Sequence, residues 1–233
     1  MGEERSAALL MTKSATLASE AYGRLRSDII DGAIKPGAKL KIRTICDQYG
    51  IGASPVREAL NRLASEGLLD HRDQRGFRVH SVTLQDLDEL ILARCWANEV
   101  GLRNSIRSGG LAWEEGVTAA LQRLEAIPRY LSDDTTERNP AWEQAHGAFH
   151  AALVAASGSS WINDFCTQLY VAAQRYRHAA RTVPRAGRNE QDEHRAIAQA
   201  AIARRENEAV ELLMEHFRLT ARLVRAALRQ DGM

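Results

Sequence analysis

The stretch Gly52-Ala53-Ser54-Pro55-Val56-Arg57-Glu58-Ala59-Leu60-Asn61-Arg62-Leu63-Ala64-Ser65-Glu66-Gly67 constrains the fold of this chain more than any other. Val56, Ala59, Leu60 and Leu63 fall on one face of a short helix, leaving Arg57, Asn61 and Arg62 to the other. Ser54 is placed to cap that helix, with Pro55 as its first residue, where a missing N–H costs nothing. Gly67 is a natural C-terminal stop. The exposed face is basic, and the helix N-terminus suits a phosphate.

The flanking sequence completes a pattern. A helix over Leu17–Asp31 buries Ala21, Leu25, Ile29 and Ile30, ends at Gly32 and is followed by a Lys35-Pro36-Gly37 turn. A second short helix over Leu40–Tyr49 turns Ile42, Ile45 and Cys46 inward and closes at Gly50. Leu68–His71 and Gly76–His80 alternate as two strands joined by residues 72–75, with Arg72, Arg75 and Arg78 on or near the tip. A short basic helix between a turn and a hairpin is the pattern of a winged helix-turn-helix, and it points to DNA rather than to a substrate. Residues 1–80 hold 13 Lys and Arg against 10 Asp and Glu, and the remainder 18 against 20. The asymmetry is mild, so the position of the basic residues carries the argument.

The run Pro36-Gly37, Leu40, Pro55-Val56-Arg57-Glu58-Ala59-Leu60, Leu63, Glu66-Gly67-Leu68, Arg75-Gly76 and Val79 resembles the winged-helix domain of the GntR family of bacterial transcription regulators. The resemblance spans residues 17–80. It implies that Arg43, Ser54, Arg57 and Gly76 lie at the DNA; Arg62 and Arg75 join them as candidate contacts from the exposed helix face and the wing. Gly52-Ala53 departs from the Thr or Arg common in the family at this loop.

From Thr83 onward the spacing is helical, and Gly or Pro punctuates it. Six helices are predicted: Leu84–Arg107, Ala112–Leu131, Pro140–Ser157, Trp161–Thr182, Arg188–Arg204 and Glu206–Arg229. The expected fold is therefore mainly α: a flexible arm over 1–16, a winged helix over 17–80, and a six-helix antiparallel bundle over 84–230. The junction Thr83–Leu90 resembles that of the FadR subfamily of GntR proteins, and six helices fit its VanR-like branch.

His146 and His150 stand four apart on one helix, so their rings share a face. His194 and His216 come from the fifth and sixth predicted helices. Such a set forms a metal cage in a helical bundle. An i,i+4 histidine pair alone is weak evidence, but the resemblance adds to it. Metal-binding members of the subfamily carry Asp-x-x-x-His here, with one further His from each of two later helices. His150, His194 and His216 match, while His146 replaces the Asp. A neutral nitrogen in that place favours zinc or nickel over manganese or calcium. His146 is then either a direct ligand or a partner behind three ligating histidines. His71 and His80 read as wing residues, and His178 as a surface or pocket residue.

Arg94 resembles the subfamily's buried arginine for an acidic effector, and a guanidinium fork suits a carboxylate. Asn98 stands where the family has Glu. Arg175, with Tyr176 and Arg177, is a further effector candidate on the fourth helix. The alternative for Arg94 is an ion pair with Glu99 or Asp88. The expected function is a homodimeric repressor on a palindromic operator, controlled by a small carboxylate-type metabolite. A metal sensor and a metal-dependent hydrolase are the alternatives. No Glu base stands beside the His pair, where residues 147–149 are Gly, Ala and Phe, so the expectation is no enzyme. No apolar run reaches the roughly 18–20 residues of a membrane span. The start of the chain lacks a signal-peptide core, and three scattered cysteines suit a reducing cytoplasm. The four tryptophans, all in the helical part, read as packing residues.

Overall fold

Thr16 opens the first helix, α1 (Leu17–Ile30), its hydroxyl accepting the Ser19 N–H. In the computed structural model, which describes residues 16–72, 76–132, 138–179 and 188–230, two units divide after Ser81. The first continues with β1 (Lys39–Leu40), α2 (Ile42–Tyr49), α3 (Ala53–Ser65), β2 (Leu69–Arg72) and β3 (Gly76–Val79). The antiparallel sheet has the order β1-β3-β2, with Leu40 opposite Phe77 and Leu69 opposite Val79. Phe77 and Val79 point inward, and Gly76 and Arg78 outward. Ala21, Leu25, Val56, Leu60, Leu63 and Leu68 form the centre of this unit's core.

Three local expectations change. Leu40 lies in a strand, because Lys39 and Leu40 pair with the wing; α2 starts at Ile42 and buries only Ile45 fully. Gly52, not Ser54, caps α3, and Ser54 and Pro55 lie within its first turn. Proline is tolerated throughout that turn because none of its N–H groups has an intrahelical acceptor. The glycine stops hold, since Gly50 and Gly67 have φ of 67° and 72°, where a side chain would be strained.

The second unit is a bundle of α4 (Leu84–Ser108), α5 (Leu111–Ala126), α6 (Pro140–Val154), α7 (Ser160–Ala179), α8 (Glu190–Ile202) and α9 (Glu206–Gln230). Thr83 caps α4 and Asn139 caps α6. α4 packs on α7 and α9, α5 on α6 and α8, and α8 on α9. α5 stops five residues short of the expected Leu131. Pro128 forces Ile127 into extended backbone (φ −104°, ψ 123°), which ends the helix. The tryptophans divide. Trp113 and Trp142 are buried, but Trp96 and Trp161 are 64% and 85% exposed.

Arg204 has φ 59°, unusual for a non-glycine residue. Its guanidinium bonds the Gly109 carbonyl at 2.7 Å and also reaches the Ile106 carbonyl and Glu114. These bonds hold the α8–α9 turn against the α4–α5 turn and offset the backbone cost. A Cβ on Gly109 would meet the Ser105 carbonyl at 2.6 Å and the Trp113 ring at 2.7 Å, whereas Gly116 faces open space. Gly109→Ala is therefore expected to destabilise by about 1–3 kcal/mol through overpacking. Gly116→Ala, in the middle of α5, should stabilise by about 0.5–1 kcal/mol. Urea denaturation of both variants checks the opposite signs.

Candidate functional site

The exposed face of α3 carries Ser54, Arg57, Asn61 and Arg62, opposite buried Val56, Ala59, Leu60 and Leu63. Arg43 is exposed on α2. Among the described residues no carboxylate pairs with Arg43 or Arg57. Arg62 is engaged within the protein: its guanidinium lies 3.8 Å from the Tyr22 ring centroid and its Nε donates to Glu66 at 3.3 Å. Gly76 opens β3 with φ 75°. Arg78 donates to the Gly37 carbonyl at 2.6 Å. Arg75 lies outside the described residues. His71 stacks on Phe77, and His80 bonds Asp70 at 2.9 Å.

In the helical unit, α6, α8 and α9 bring His146, His150, His194 and His216 together, all buried. One nitrogen from each lies within 4.8 Å of the others. Zinc–nitrogen bonds of about 2.0–2.1 Å place neighbouring donors on one ion roughly 3.0–3.4 Å apart, and the His146 and His150 Nε2 atoms are already at 3.1 Å. Burial and mutual repulsion push His146, His150 and His216 well below the usual imidazole range. Burial also holds His194 down at about 3. Neutral imidazoles are the form that binds a metal.

Hydrogen bonds fix three of the tautomers. The Tyr170 hydroxyl donates to the Glu143 carbonyl at 3.0 Å, so it must accept from His146 Nδ1 at 3.0 Å. His146 Nε2 is then an acceptor facing inward, with His150 Nε2 as its donor at 3.1 Å. His216 Nδ1 donates to Glu193 at 2.7 Å, a carboxylate–histidine arrangement that bares Nε2 and raises its basicity. Arg188 grips the same carboxylate through two bonds of 2.6 and 2.7 Å. His150 Nδ1 and His194 Nε2 have no hydrogen-bond partner. The Nε2 atoms of His146 and His216, with His150 and His194 beside them, form a donor set that fits a divalent ion.

Gly147 lets this shell close, since a Cβ there would meet the Tyr170 ring at 2.9 Å. Trp142, one turn before His146, stacks on its ring at 4.6 Å. That spacing was readable in the sequence. Tyr170 and Glu193 bond His146 and His216 across 24 and 23 residues, and Glu143 acts through Tyr170, links that local pattern does not contain.

Arg94 is 3% exposed, lies 4.0 Å over the Phe217 ring, and has a buried Nε without a partner. Burial, then the charge of Arg177, lower its pKa to about 9. The ion-pair alternative is not realised: Glu99 pairs with Arg103 at 2.9 Å and Asp88 with Arg225. Among the described residues no carboxylate pairs with Arg94. Asn98 donates to the Arg94 carbonyl at 2.9 Å. Arg175 is buried with its Nε on the Ala172 carbonyl, and it is Arg177 whose charge acts on the histidines. Arg177 and Arg138 share Glu143 at 3.2 and 2.7 Å. Burial raises the Glu143 pKa, but the two cations overcome it and hold it at about 2.

A basic recognition helix beside a wing, joined to a helical unit with a polar core, defines a DNA-binding transcriptional regulator. Residues 17–79 match the gntR family of bacterial regulatory proteins, and residues 102–219 match the FCD domain. The HTH-type transcriptional regulator BphR of Paraburkholderia xenovorans (strain LB400) is 34% identical, over 90% of this chain and 86% of its own. The HTH-type transcriptional repressor GlaR of Escherichia coli (strain K12) is 32% identical, over 90% and 96%. A solved GntR-type regulator from Rhodococcus sp. RHA1 is 26% identical, with a TM-score of 0.69 over 90% of this chain and 97% of that one. The chain belongs to the GntR family of regulators and carries an FCD domain. The family and these relatives are regulators, not enzymes.

Glu143 generates a prediction. Glu143→Gln leaves Arg177 and Arg138 without their shared carboxylate, and loss of one partner from a buried pair costs about 3–5 kcal/mol. A drop of that size is expected in urea denaturation of metal-free protein.

Proposed function

We propose that this protein is a repressor of the FadR subfamily, VanR-like branch, acting in the cytoplasm as a homodimer on a palindromic operator. Residues 17–80 read the DNA and residues 84–230 bind the signal. The signal is a small organic acid, held by a zinc or nickel ion on His146, His150, His194 and His216 and by Arg94. The observation that carries this reading is the pairing of four neutral imidazoles with a buried guanidinium that has no carboxylate partner among the described residues. The ion supplies a Lewis-acid anchor for a carboxylate. Arg94 supplies the fork and Arg177 the charge around it. Asn98 fixes the backbone beside Arg94, and Arg175 lies on the same helix as Arg177. GlaR, described as a repressor, supports the sign of the response. Four imidazoles also complete a tetrahedral set, which supports a second reading in which the ion itself is the signal.

DNA recognition rests on Arg57 and Arg43, with Ser54 at the exposed start of α3, Gly76 allowing the wing to turn, and Arg62 and Arg75 as flanking contacts. No helix among the described residues is long and apolar enough to cross a membrane. Homodimer formation is supported by an exposed apolar stripe: Leu92, Trp96 and Val100 on α4, with Trp161 and Phe165 on the adjoining α7. Two-fold symmetry would match the palindrome, and the acid acts only through its differential affinity for two arrangements of the dimer.

Selection of host-genome fragments by the purified protein, followed by sequencing, is expected to enrich a short palindrome. Arg57→Ala should abolish that enrichment while the protein stays folded; retained sequence-specific binding would refute the α3 assignment. Zinc alone releasing the DNA would favour the sensor reading over the organic acid. Trp96→Glu should convert a dimer to a monomer in analytical ultracentrifugation, whereas an intact dimer would move the interface elsewhere.

A further inference from the structure

A pocket of about 320 Å³ lies between the end of α5, residues 127–130 and the start of α8. Leu124, Ile127, Pro128 and Trp142 give it apolar walls, and His194 is the cluster histidine in its lining. Two guanidinium groups line it as well, those of Arg129 and Arg188, and between them sits the carboxylate of Glu190. Glu190 pairs with Arg129 and, at 3.2 Å, with Arg188. Arg188 has a second acid in Glu193 at 2.6 Å. Among the described residues, Glu190 is the carboxylate in ion-pair contact with Arg129. The Arg129 guanidinium is stacked 4.7 Å from the Trp142 ring, and its Nε is buried without a partner.

We propose that this pocket binds a carboxylic acid with a compact apolar body, and that Glu190 is an internal placeholder for the ligand's acid group. A carboxylate between two guanidinium groups, inside apolar walls, is the arrangement a bound acid requires. The volume is at the small end of ligand pockets. Glu190 is the first residue of α8, after the Asn189 cap. Its side chain can leave for solvent without breaking the helix, while Trp142 keeps Arg129 in place. The exchange is felt at the cluster, because His194 is one turn further along α8 and Glu193, beside it, holds His216. The pocket is an acid site beside the one at the ion and Arg94, and it rests on the effector reading above only for a response at the operator. The binding step needs neither metal nor DNA.

The test is titration of the full-length protein, with EDTA and with zinc, using acetate, benzoate and 1-naphthoate, followed by tryptophan fluorescence and calorimetry. Benzoate is expected to bind saturably with and without metal, and more tightly than acetate, which lacks a body. Glu190→Gln removes the competitor and should bind benzoate about tenfold more tightly; Arg129→Gln should bind it at least about tenfold more weakly. Circular dichroism confirms folding, and Arg129→Lys, which keeps the charge but not the fork, should be intermediate. Three results overturn the proposal: Glu190→Gln no tighter than wild type, Arg129→Gln unimpaired, or no saturable binding to any folded form. Binding that disappears with the metal also overturns it, by moving the acid to the histidines, and leaves the effector reading intact. Metal-independent binding that never alters operator affinity sustains the pocket and makes it an acid site without control over the DNA.

Discussion

Four neutral imidazole rings gathered in the core of the bundle bring one nitrogen each within 4.8 Å of the others. Each ring has one donor and one acceptor. Tyr170 and Glu193 take the outward donors of His146 and His216, which commits their acceptor nitrogens to the interior. His150 Nδ1 and His194 Nε2 stay without partners. An ion on the facing nitrogens would replace their mutual contact with bonds to one centre, and Tyr170, Glu193 and Arg188 hold the rings in that orientation.

That support runs through particular side chains. On α7, Tyr170 and Arg177 face the cluster, and Tyr176 donates to Asp86 in the first turn of α4. That turn follows closely on the boundary after Ser81, so the helix that senses the cluster is tied to the residues nearest the DNA-binding unit in sequence. On α8, Glu190, Glu193 and His194 lie within two turns and link the pocket, the Arg188 fork and the cluster. A ligand that shifts the start of α8 acts on two of the four histidines together.

The sequence was most informative where a regular period or a turn signal acted alone. The buried stripe of α1 is the one expected from spacing, and Gly50 and Gly67 end α2 and α3. Local pattern falls short where distant pairing decides the outcome. Leu40 belongs to a strand only because Phe77 is opposite, a contact that local pattern does not contain. Pro128 was a readable stop that apolar spacing overran. The four histidines were legible largely through the family resemblance, and the structure gathers them. Their supporting residues come from α6, α7 and α8 at large sequence separations. Trp96 and Trp161 show a limit of composition, since an aromatic side chain reads as core whether or not its own chain covers it.

The central claim is that the imidazole cluster binds a divalent ion, and equilibrium dialysis of the full-length protein against zinc tests it most directly. The account expects one zinc ion per chain, with affinity falling at least about a hundredfold in His150→Ala and in His216→Ala, and unchanged in His71→Ala on the wing. Failure to retain zinc or nickel, or equal retention by wild type and His150→Ala, would contradict it.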